Sequence, residues 1–67
     1  MNSILVEFSK DTLKKNLKLC NDGEVLMFKR MYSHNNLEVS IDEVVDNMSE
    51  DKLDVAMQQV ERTLKNK

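Results

Sequence analysis

Proline and tryptophan are absent from this 67-residue chain, and glycine and cysteine occur once each. Without proline, and with a single glycine, almost nothing interrupts a helix. One glycine also excludes a glycine-rich phosphate loop. One cysteine forms no disulfide within the chain, whereas a secreted domain this small ordinarily carries several. The expected compartment is therefore a reducing one, the cytoplasm. Cys20 and His34 are the only soft metal ligands, too few for a structural zinc site in one chain. No apolar run approaches the roughly 20 residues of a membrane span. The opening Met1–Phe8 has no basic start, is interrupted by Glu7 and precedes no small-residue cleavage site, so it reads as no signal peptide.

What is present is 40% hydrophobic and 33% charged, rich in Leu, Lys, Glu and Met. That composition is globular and helical. A chain this short buries only about 60% of the surface its unfolded form exposes. The expectation is one all-α domain over residues 1–67, a compact bundle of about four short helices, with residues 1–9 frayed.

The helices are placed by periodicity and caps. Leu13, Leu17 and Cys20 recur at helical spacing, with Lys14, Lys15 and Lys18 on the other face. This predicts a first helix from Asp11 to Cys20, with Ile4–Phe8 a helical extension or a short strand. Asn21-Asp22-Gly23 reads as a turn around the lone glycine. Asp22 is the expected cap of a second helix, whose apolar face carries Val25, Phe28 and Met31 or Tyr32. Leu26 and Met27 widen that stripe. The polar run Ser33–Asn36 ends it. Ser40-Ile41-Asp42-Glu43 is a capping box, with Val39 and Val44 as its hydrophobic staple. The third helix it opens is about two turns long. Ser49 opens a fourth helix with half a box, because Lys52 stands where the reciprocal Glu would be. Met48 and Leu53 form the second staple. Leu53, Ala56 or Met57, Val60 and Leu64 then continue at helical spacing.

Net charge is −2, divided unevenly: residues 1–34 carry +2 and residues 35–67 carry −4. Asp42, Glu43, Asp46, Glu50, Asp51 and Asp54 fall within thirteen residues. Helix-start electrostatics accounts for Asp42, Glu43, Glu50 and Asp51, since first turns favour carboxylates. It does not account for Asp46. The alternative is an acidic face that docks a basic partner or imitates nucleic-acid phosphates. A calcium loop is excluded, because alternating ligands, a central glycine and a closing Glu are missing.

Lys14, Lys15, Lys18, Lys29, Arg30, Tyr32 and His34 could neutralise phosphates and stack a base. Against this, Asp22 and Glu24 would stand at the start of a recognition helix, and few Arg, Asn or Gln are present to read base edges. Nucleic acid is therefore disfavoured. His34 reads as a surface loop residue, with no nucleophile or carboxylate placed against it. Cys20 reads as a buried structural thiol. No catalytic, cofactor-binding or metal residue is assigned, and no enzymatic activity is expected. Met27, Met31 and Tyr32 broaden the second helix beyond one apolar stripe. They form either a core filled from two sides or a patch that dimerises or grips a partner.

Phe28-Lys29-Arg30-Met31-Tyr32-Ser33 and Met57-Gln58-Gln59-Val60-Glu61-Arg62-Thr63-Leu64, with the size and composition of the chain, resemble the short accessory proteins of tailed bacteriophages. The resemblance implies a protein that acts by binding a host or phage protein, and it assigns no site residues. The resulting expectation is a non-catalytic protein–protein interaction module, an inhibitor or adaptor. It would occlude its partner through Met27, Met31, Tyr32, Asp46, Glu50, Asp51 and Asp54. A nucleic-acid-binding regulator using the basic half, a self-assembling structural component and a homodimer are the alternatives.

Overall fold

The computed structural model describes residues 3–66 and the side chains of residues 5–66. Four helices follow one another: α1 (Ser3–Lys18), α2 (Asp22–Tyr32), α3 (Ile41–Asp46) and α4 (Glu50–Lys65). The described residues contain no strand. This is the all-α architecture that the composition predicts.

Helix α1 begins earlier and ends earlier than its periodicity suggests. Residues 3–9 are helical rather than frayed; Met1 and Asn2 lie outside the described residues. Val6 explains the extension, because it packs on the core two turns before Leu13. The helix stops at Lys18 rather than Cys20. There the chain tightens into i→i−3 bonds, Leu19 N to Asn16 O (3.0 Å) and Cys20 N to Leu17 O (3.2 Å).

The cap of α2 is Asn21, not Asp22. Asn21 Oδ1 accepts the amide of Glu24 at 2.8 Å, and Glu24 Oε1 accepts the amide of Asn21 at 2.9 Å. This is a complete capping box, which needs Glu exactly three residues after the cap; only Asn21 meets that spacing. Gly23 consequently lies inside the first turn of α2 and not in a reverse turn, and its φ is not positive. The left-handed positions fall instead on His34 (φ 53°) and Asn35 (φ 65°), just after α2 ends.

At α3 the expected box is half made. Ser40 Oγ accepts the amide of Glu43 (3.2 Å), and Glu43 makes no return bond to Ser40. At α4, Ser49 Oγ accepts the amide of Lys52 (3.4 Å), the half cap that the sequence predicts. Val39 and Met48, the leading members of the two expected staples, both pack against the cluster that holds Val44 and Leu53.

The core takes Leu13 and Leu17 from α1, Phe28 from α2, Val44 and Val45 from α3, and Leu53, Ala56 and Val60 from α4. No polar side chain is buried among the described residues. Helix α1 packs on both α4 and α3, and α2 packs on α3. The radius of gyration is 11.3 Å, close to the value of about 11 Å for a compact chain of this length. Helices α1 and α4 run in the same sense. Leu5, Val6 and Ser9 flank Glu50, Leu53 and Asp54 at one end, and Leu17 and Cys20 flank Val60 and Thr63 at the other. No helix among the described residues is long and apolar enough to cross a membrane.

Candidate functional site

The residues singled out in the sequence fall into three separate places. The first is the α1–α3 contact. Asp46 ends α3, and Lys14 Nζ lies 2.8 Å from its Oδ1. Lys10 Nζ donates to the Asp46 carbonyl at 3.0 Å. Helix α3 has no basic residue in its own last turn. Two lysines of α1 therefore supply the cations that a helix C-terminus favours. This is the reason for Asp46 that helix-start electrostatics could not give. The carboxylate beside Lys14 holds its ammonium above the usual lysine value of 10.5; burial opposes that shift, and the charges of Asp42 and Asp11 assist it.

The second place is a small apolar groove between the end of α1, α2 and α4, of about 90 Å³. Met27 and Met31 stand one turn apart on α2, 56% and 55% exposed, over a floor of Leu17, Phe28 and Val60. Tyr32 does not join this exposed edge. It is half-buried, its ring lies 4.8 Å from that of Phe28, and its hydroxyl donates to Gln59 Oε1 at 2.5 Å. Burial pushes the Tyr32 phenol above its usual value of 10.0. Of the two residues between which the periodicity left the core position open, Tyr32 packs inward and Met31 faces out.

The third place joins the beginnings of α1 and α4. Leu5, Val6 and Ser9 line one side of an open groove of about 410 Å³; Glu50, Asp51, Leu53 and Asp54 line the other. Leu53 is buried and Leu5 is 61% exposed. Phe8, three residues along the same helix, is 69% exposed. Glu50, Asp51 and Asp54 are exposed, and none forms an ion pair with a described lysine or arginine. Sequence reasoning found the carboxylates and missed Leu5, Val6, Ser9 and Phe8. The available signal was the i,i+3 spacing of Leu5 and Phe8, which only a helical reading of residues 3–9 exposes.

The methionine groove and the acidic groove are distinct. Residues 59–63, beside the methionines, lie nine positions beyond residues 50–54 on α4, about 13 Å at the helical rise.

Cys20 is half-buried, and its thiol donates to the Asn16 carbonyl at 3.6 Å. His34 is exposed on the loop after α2. Among the described residues no three His, Cys, Asp or Glu side chains are grouped to hold a metal ion.

The chain matches no protein-family model, no curated protein and no solved structure.

Proposed function

We propose that this protein is a small non-catalytic binding module of the cytoplasm, a phage-type inhibitor or adaptor that works by covering a basic surface of a partner protein. One observation carries this reading. The groove between the starts of α1 and α4 has an apolar floor, Val6 and Leu53, and a rim of three carboxylates with no ion-pair partner among the described residues. Apolar side chains give such a surface its grip. Carboxylates at the rim steer encounter and reject acidic competitors. Met27 and Met31 offer a second apolar edge on the same molecule.

The basic half of the chain supports nucleic-acid binding less well. Lys10, Lys14 and Lys29 are each engaged within the fold, on the Asp46 carbonyl, the Asp46 carboxylate and the Leu37 carbonyl. Phosphate contacts would have to displace them.

The test is capture of a partner from a bacterial lysate by the tagged full chain, with and without nuclease, repeated with a Glu50→Gln, Asp51→Asn, Asp54→Asn triple variant. These substitutions leave the Ser49 cap in place, and unchanged helical circular dichroism is the control for folding. A stoichiometric, nuclease-resistant protein that the triple variant loses is the expected result. Recovery that disappears with nuclease, or recovery of the bait alone as an assembly of its own copies, would overturn the proposal.

A further inference from the structure

Which kind of partner segment fits this groove follows from its two walls. The α4 wall carries Glu50, Asp51 and Asp54. Two helix N-termini point here, each worth about half a positive charge. They offset roughly one of the three negative charges, so the rim stays anionic. The α1 wall carries Leu5, 61% exposed, and Ser9. Val6 and Leu53 close the floor.

Both walls are helices, so the groove offers no strand edge along which an extended segment could pair its backbone. An extended segment laid here would leave its own amides and carbonyls over an apolar floor without partners, which is costly. A helix satisfies its own backbone and presents side chains only. The carboxylates at positions 50 and 54 stand four residues apart on α4, a separation of about 6 Å along the axis. Basic side chains at i and i+4 of a docked helix repeat that spacing.

We infer that the α1–α4 groove receives a basic amphipathic helix of the partner protein, with one bulky apolar side chain over Val6 and Leu53 and Lys or Arg residues four apart facing Glu50 and Asp54. The inference rests on the binding-module reading and specifies its occupant. An anionic membrane or a nucleic acid meets like charge at this rim, and a second copy of this groove would bring carboxylates against carboxylates.

The experiment selects binders for the folded full chain from a displayed library of helical peptides whose surface positions are randomised. Selected helices should carry Lys or Arg at i and i+4 beside a Leu, Ile or Phe. Their affinity should fall about tenfold on the E50Q, D51N, D54N variant and by about tenfold or more on Leu5→Asn. Raised salt should weaken them further. Amide resonances of Leu5, Ser9, Leu53 and Asp54 should move on binding, while those of Met27 and Met31 stay still. Binders without basic enrichment, binders indifferent to both variants, or a library that yields none would overturn the inference. The two readings fail separately. A lysate partner lost by the triple variant while no basic helix is selected leaves the binding module standing and removes the helical occupant. Selected helices in the absence of any lysate partner do the opposite.

Discussion

Lys14 and Asp46, thirty-two positions apart in the chain, meet at 2.8 Å and join the middle of α1 to the end of α3. Lys10 reaches the backbone carbonyl of the same aspartate. Helix α3 is only six residues long, far below the roughly 12–15 residues at which an isolated helix becomes even marginal in water. Its existence depends on Val44 and Val45 being buried and on both ends being satisfied.

The pair has a pH signature. The folded-state pKa of Lys14 is raised, so its contribution to stability is complete below the ordinary value of 10.5 and is lost as pH rises through the folded value. The Tyr32 phenol is also raised, through burial of its neutral form, and its contribution is likewise lost on the alkaline side, above 10.0. Urea midpoints should therefore hold up to about pH 10 and decline above it. Asp46→Asn should lower the midpoint at neutral pH and flatten the part of the decline that belongs to Lys14. A midpoint that does not move for Asp46→Asn would show that the pair is inert.

Tyr32→Phe separates the second contribution. It removes the bond to Gln59 while retaining the ring contact with Phe28. The expected loss is about 1 kcal/mol. Tyr32 is the only tyrosine, so tyrosinate absorbance in the wild type reports its ionisation directly. That ionisation should follow the unfolding curve rather than precede it.

Gly23→Ala should stabilise the protein by about 0.5–1 kcal/mol, because glycine in a helix loses more backbone entropy than alanine. The added methyl would lie 3.5 Å from Asn21 Oδ1, an ordinary contact. His34→Gly should also stabilise, by up to about 1 kcal/mol, since it relieves a left-handed residue bearing a side chain. If the turn reading of Gly23 were right, Gly23→Ala would destabilise instead. Thermal melts of the two variants decide between these outcomes.

Asn21→Ala removes half of the only complete capping box among the helices described. It should cost about 1 kcal/mol. Hydrogen exchange should accelerate first at the amides of Glu24 and Val25, which bond the Asn21 side chain and carbonyl.

Leu13→Ala probes the core. Leu13 is fully buried on α1, the helix that packs against both α3 and α4. The expected cost is about 2–5 kcal/mol. A chain of this size has a net stability of roughly 3–10 kcal/mol. The variant should therefore be partly unfolded at room temperature, with reduced helical circular dichroism and a low urea midpoint. Met27→Ser, on an exposed side chain, should change stability by less than about 0.5 kcal/mol.

The sequence by itself determined what depends on neighbours within four residues. Ser40 and Ser49 start α3 and α4 because a hydroxyl there reaches the amide three residues on. Leu53, Ala56 and Val60 face the core because helical spacing puts them on one side of α4. The Asn21–Glu24 box is equally local, although the lone glycine between its two members gives the segment the look of a turn. Tertiary structure decided the rest. Whether Tyr32 or Met31 turned inward depended on Gln59, twenty-seven residues beyond Tyr32, accepting the hydroxyl. The role of Asp46 depended on Lys14 arriving from another helix. That Glu50, Asp51 and Asp54 share a groove with Leu5 and Val6 depended on α1 and α4 running side by side in one sense. Caps and periodicity are written in short-range hydrogen bonds and side-chain direction; which helix faces meet is set by burying apolar area across the whole chain, and no four-residue window contains that information.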